Sequence, residues 1–132
     1  MDGNEKMMTP KQLVEQAKTE IKEVDVLTAL KWLSEGVTVI DVREEHEFLA
    51  GSLPSAVSIP RGVLEFKTVD HPALADRQAR LLVYCRSGGR SALAAQTLKR
   101  MGYDNPVSMA GGYEAWVAHH EPVVEDTTDF GS

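Results

Sequence analysis

A chain of 132 residues, 42% hydrophobic and 26% charged, suits one domain that buries about two-thirds of its unfolded surface. Fourteen basic against twenty acidic residues give a formal net charge of −6, which argues against nucleic acid as a partner. No apolar run nears the ~20 residues of a bilayer span, the polar N-terminus lacks a secretory signal's apolar stretch, and a lone cysteine excludes disulfide frameworks and multi-cysteine zinc sites.

Residues 1–23 are expected to form a polar leader and an extra amphipathic helix. Thr9-Pro10-Lys11-Gln12 carries helix-start chemistry: a Thr cap, Pro at the first helical position and Gln three residues after the cap. Leu13, Val14, Ala17 and Ile21 follow at helical spacing. Asp25 caps a second helix with Val26, Ala29, Leu30 and Leu33 on one face, and Gly36 stops it.

Val37 to Val42 is β-branched and almost continuously apolar, the pattern of a strand buried on both faces. Glu44 to Leu49 predicts a short helix ended by Gly51, and Ala56 to Ile59 a second strand stopped by Pro60. Leu81 to Tyr84 is the third strand and the most hydrophobic. After Cys85-Arg86-Ser87-Gly88-Gly89-Arg90 a helix starts near Ser91, buries Ala94, Leu98 and Met101, and ends at Gly102. Pro106 to Met109 is the fourth strand, Gly111-Gly112 a turn, and Tyr113 to His119 a last helix. Residues 121–132 form an acidic tail expected to fray, and His119-His120 before it are read as a helix end, not a metal site.

Strands alternating with helices predict an α/β fold: a doubly wound, mainly parallel sheet of about five strands with helices on both faces. Ligands of such sheets sit at the carboxyl ends of strands. The end of the most hydrophobic strand holds the only cysteine.

The chemistry of that loop favours an anion. Gly88 and Gly89 allow positive φ and a tight turn, so that successive amides point inward beside a helix N-terminus. Arg86 and Arg90 add two permanent charges. They belong to the stretch Arg77 to Arg100, which has six basic residues and no acid. Only a thiolate is a good nucleophile, and helix N-termini with cationic neighbours lower a cysteine pKa from about 8.5 to ~3.5–7.5. No histidine base is then required, and none of the four histidines has local spacing to Cys85. The competing reading is a small apolar residue filling the core beside a strand. The reactive reading requires a sulfur that solvent can reach.

Here the sequence resembles the rhodanese-like family of sulfurtransferases, from about Val24 to Trp116. Asp41-Val42-Arg43 resembles the family's Asp-x-Arg strand end. Gly51-Ser52-Leu53-Pro54-Ser55-Ala56 resembles its Gly-His-Ile-Pro-Gly-Ala segment, with Ser52 in place of His and Ser55 in place of Gly. Cys85 to Arg90 resembles the active-site loop, and Gly111-Gly112-Tyr113-Glu114-Ala115-Trp116 the closing Gly-Gly-x-x-x-Trp. The resemblance implies a single rhodanese-like domain over 24–120 in which Cys85 takes a sulfane sulfur from thiosulfate or a similar small anionic donor. A thiophilic acceptor, such as cyanide, a thiol or an acceptor protein, then removes it. It assigns donor binding to Arg86 and Arg90 and cradling of the sulfur to Ser87, Gly88 and Gly89. Asp41 and Arg43 brace the strand end. No cofactor, metal, nucleic acid or membrane is implied, and the expected location is cytoplasmic.

Two other functions stay open. Cysteine-dependent phosphatases and arsenate reductases related to this family usually carry Cys-x5-Arg, whereas Cys85 to Arg90 is Cys-x4-Arg, a ring better suited to one sulfur atom. A persulfide carrier or partner-binding module with little turnover is the second.

Overall fold

The computed structural model describes residues 7–119 and 121–125. The leader before Met7, His120 and the tail beyond Glu125 lie outside them. Helix α1 spans Pro10–Glu20. The expected capping box forms, with Gln12 N donating to Thr9 Oγ1 at 3.1 Å and Thr9 N to Gln12 Oε1 at 2.8 Å. Strand β1, Lys22–Val24, leads into α2, Val26–Ser34, which Asp25 caps through Thr28 N at 2.9 Å. The chain continues through β2 (Thr38–Asp41), α3 (Glu45–Ala50), β3 (Ala56–Ser58) and the one-turn α4 (Leu64–Lys67). It closes with β4 (Arg80–Tyr84), α5 (Gly89–Arg100), β5 (Asn105–Met109) and α6 (Gly112–Ala118).

All five strands are parallel, in the order β1-β5-β4-β2-β3. β4 lies at the centre, and the winding reverses between β2 and β4, the switch point where ligands of such sheets bind. The central strand shows why the sheet has two cores. Leu81, Val83 and Cys85 face one side, with Ala94 and Leu98 of α5 and Leu64 of α4. Leu82 and Tyr84 face the other, with Val26 and Ala29 of α2 and Trp116 of α6. This is the period of two that a strand imposes.

α1 lies against α5, where Ala17 is fully buried and Lys99 Nζ donates to the Glu20 carbonyl at 2.9 Å. β1 is the strand the sequence did not mark. Its residues are exposed or half-buried and carry no apolar pattern; parallel pairing of Lys22, Glu23 and Val24 with Val107, Ser108 and Met109 makes it a strand.

Two other expectations are corrected. Residues 121–125 do not fray: Ser52 and Val124 exchange backbone hydrogen bonds at 2.8 Å in both directions. Trp116 Nε1 also donates to the Pro122 carbonyl at 2.8 Å. The last two helices start earlier than read, at Gly89 and Gly112, the second glycine of each pair; Gly112 opens its helix at a φ of +57°. Among the described residues no helix is long and apolar enough to cross a membrane.

Candidate active site

The strand alternation that puts Val83 under α5 puts Cys85 there as well, so its sulfur faces the first turn of that helix. Gly88 N donates to Cys85 Sγ at 3.1 Å and Ser91 N at 3.3 Å. An apolar core cysteine has no use for two convergent N–H donors; a sulfur anion does. The thiol also lies 3.5 Å from Ser91 Oγ, which donates to the Gly88 carbonyl at 3.2 Å and accepts from Ser108 Oγ at 2.8 Å. Ser91 was missed in the sequence, where a serine in a helix's first turn looks like ordinary helix-start chemistry.

Of the three residues expected to cradle the sulfur, Gly88 does so in this conformation, and Ser91 is the second donor. Gly88 has φ of +115°, which a side chain resists; Gly89 is the first residue of α5, and a Cβ there would meet Val14 Cγ2 at an ordinary 3.6 Å. Positive φ is therefore needed at one of the two glycines. Ser87 is exposed in the turn between them and Arg86.

The second glycine pair locks the loop from behind. Tyr113 N donates to the Cys85 carbonyl at 2.8 Å and Glu114 N to the Arg86 carbonyl at 3.0 Å. Gly112 must be glycine, since a Cβ would overlap the Cys85 carbonyl oxygen and come within 2.7 Å of the Arg86 carbonyl carbon. The loop's carbonyls are thereby turned toward α6 and away from the sulfur.

The two arginines are not free charges. Arg90 binds Glu47 of α3 with both guanidinium nitrogens, at 2.9 and 3.2 Å. Hydrogen bonding to Arg90 holds the Glu47 carboxyl at about 2, against an ordinary 4.5, although partial burial opposes the shift. Arg86 turns outward to Glu114 of α6 at 3.0 Å, in a pair more than half exposed. The expected pair of unopposed cations is thus two ion pairs bridging the loop to the helices beside it.

Asp41 and Arg43 brace the end of β2, as read. Arg43 donates to both Asp41 oxygens through Nε at 3.1 Å and to Oδ2 through Nη2 at 2.7 Å. Tyr84 O–H donates to Asp41 Oδ2 at 2.6 Å and accepts from Leu53 N at 3.1 Å. Burial, then the neighbouring Asp41 charge, pushes the Tyr84 hydroxyl well above its usual range, so it stays protonated and serves as a donor. Burial lowers the basicity of Arg43, but its bonds to Asp41 outweigh that and hold it charged, 4.2 Å above the Tyr113 ring. The network ties β2, β4 and the 51–53 loop together directly before Cys85.

One expectation fails in this conformation. Cys85 is 1% exposed and packs with Ile40, Val42 and Val83, so the residue is closed off from solvent. A donor reaches this atom only when the packing around it opens.

A family model described as Rhodanese-like domain matches residues 23–119, close to the span read from the motifs. The chain is 36% identical over 109 residues to Protein HIGH ARSENIC CONTENT 1, mitochondrial, of Arabidopsis thaliana, a match covering 74% of this chain and 63% of that protein. It is 33% identical over 91 residues to a sulfurtransferase of Allochromatium vinosum, covering 69% of this chain and 81% of that one. A solved structure from Rhodopseudomonas palustris, described as a protein of unknown function and possible tyrosine phosphatase, matches with a TM-score of 0.79 at 28% identity. That match covers 89% of this chain and 96% of the other. With its parallel sheet, its cysteine at the end of the central strand and a family model spanning most of its length, the chain belongs to the rhodanese-like domain family.

Proposed function

We propose that this chain is a sulfurtransferase that carries a sulfane sulfur as a persulfide on Cys85. The observation supporting it is the convergence of Gly88 N–H and Ser91 N–H on Cys85 Sγ, at 3.1 and 3.3 Å. The Cys85 thiolate attacks the outer sulfur of a donor such as thiosulfate. The new S–S bond forms as the donor's S–S bond breaks, and sulfite leaves with the electron pair. Cyanide or a thiolate then attacks the outer sulfur of the persulfide and restores the Cys85 thiolate. In both steps negative charge stays on sulfur, where preorganised amides stabilise it without reorganisation. In this reading Arg90 and Arg86 contact the donor, Arg90 more closely because it sits on the first turn of α5.

Phosphoryl transfer is less well served. A tetrahedral phosphate needs more free donors than two amides already directed at the thiol sulfur, and both nearby arginines have carboxylate partners. The discriminating experiment is thiocyanate formation from thiosulfate and cyanide against hydrolysis of an aryl phosphate by the same preparation. Thiocyanate formation that disappears in Cys85→Ser supports sulfur transfer; aryl phosphate hydrolysis alone overturns it.

A carrier with slow turnover is the second reading, favoured by the 1% exposure of Cys85. Stoichiometric sulfur loading with little steady-state thiocyanate would select it. A lone free thiol suits a reducing compartment such as the cytoplasm.

A further inference from the structure

A cavity of about 610 Å³ opens between α3 and α6, directly beside the loop. Glu47 and Glu114, the two carboxylates that hold Arg90 and Arg86, both line it. Arg86 forms part of its wall, and Ala50, Val117 and Ala118 give it an apolar side. Arg43 also lines it, with its charge committed to Asp41. A ligand entering here meets the Glu47 and Glu114 carboxylates, the paired guanidinium groups of Arg43 and Arg86, the His46 imidazole and an apolar wall; Arg90 itself is not part of the lining and bears on the ligand through Glu47.

These surroundings discriminate by charge and by hydrocarbon. An inorganic dianion must displace a carboxylate from its arginine and then lie beside the carboxylate it displaced, which is unfavourable on both counts. A donor with one charge at its sulfur end leaves the ion pairs standing. Its organic part gains from leaving water against the apolar wall.

We propose that this cavity selects a singly charged organic sulfur donor over the dianion thiosulfate, with Glu47 enforcing the choice by holding Arg90. The selection rests on the Cys85 persulfide reading and names the donor class for that same site. Glu47 acts through Arg90, so it is a positioning residue. Of the two glutamates it is the stronger determinant, because its pair with Arg90 is two-pronged and the less exposed. The low pKa of its carboxyl keeps it charged throughout the working range.

Benzenethiosulfonate and thiosulfate are suitable probes, since both deliver a terminal sulfur from a sulfonyl sulfur. With the first, the Cys85 thiolate takes the terminal sulfur, the donor's S–S bond breaks, and benzenesulfinate leaves with the electron pair. Wild-type kcat/KM is expected to favour benzenethiosulfonate by at least about tenfold. Glu47→Gln keeps an oxygen for the Glu44 amide, which Glu47 accepts at 2.9 Å, but removes the charge from Arg90. That variant is expected to lower the preference about fivefold, the upper end for a partly exposed ion pair, through a fall in the thiosulfate KM larger than any change in kcat. Val117→Glu, at a half-exposed helix position, puts charge on the apolar side and lowers the preference by weakening the organic donor. Equal or greater kcat/KM for thiosulfate in the wild type overturns the selection, as does an unmoved ratio in Glu47→Gln. Loading of Cys85 from both donors with thiosulfate preferred refutes the selection alone; loading from neither refutes the persulfide reading and the selection with it.

Discussion

The Gly88 amide nitrogen stands 3.1 Å from Cys85 Sγ because Gly88 turns the chain with φ of +115° directly before α5 begins. An L side chain at that φ costs roughly 1–2 kcal/mol and drives the peptide to rotate. Gly88→Ala should therefore lose about that much stability in urea denaturation and load sulfur at least tenfold more slowly. Gly89→Ala, at the first helical position with room for a Cβ, should be neutral to stabilising by up to about 1 kcal/mol. Equal effects at the two glycines would show that the amide's direction is not what matters.

Tyr84 stands at the centre of the brace, donating to Asp41 and accepting from Leu53 N. Tyr84→Phe leaves a buried amide and a buried carboxylate each short of one partner, an expected loss of about 1–3 kcal/mol. Thermal or chemical denaturation measures it. Sulfur loading by the folded fraction should survive, since the hydroxyl does not touch the sulfur. Complete loss of loading in folded protein would move Tyr84 from support into chemistry.

Glu47 gives the stability a defined response to acid. Its folded pKa of about 2 lies below the ordinary 4.5, so the unfolded chain takes up the proton first as pH falls. The contribution is complete above about pH 4.5 and fades toward pH 2. With Arg90 36% exposed, screening reduces it to about 1 kcal/mol. The stability difference between wild type and Glu47→Gln should be flat from pH 5 to 8 and shrink below pH 4.5. A difference independent of pH down to 2 would contradict the ion pair.

Ser55 occupies φ of +64°, the left-handed region, at the position where the family pattern has glycine. Ser55→Gly relieves that strain but gives the unfolded chain more freedom, leaving an expected gain of about 0.5–1 kcal/mol in unfolding free energy, read by urea denaturation. A loss would mean that the serine's own contacts outweigh its backbone cost.

Much of this architecture was legible because particular residues admit few alternatives. The apolar runs at Val37 and Leu81 announced buried parallel strands. Thr9 and Asp25 announced their helices, and a cysteine followed by paired glycines announced an anion-binding turn. What escaped depends on neighbours distant in the chain. β1 has no apolar pattern and exists through its pairing with β5. Glu47 is 43 residues from Arg90, and nothing local marks it as that arginine's partner. Val124 is held by an isolated bridge to Ser52. The burial of Cys85 was hidden as well, because strand alternation fixes which face a residue takes but not how closely the core packs around it.

The central claim is that Cys85 accepts a single sulfur atom within this amide cradle. Intact mass spectrometry after incubation with benzenethiosulfonate or thiosulfate tests it most directly. The account predicts a gain of one sulfur atom per chain, removed by cyanide and absent in a folded Cys85→Ser variant. An unchanged mass with both donors, or a gain that persists in Cys85→Ser, would contradict it.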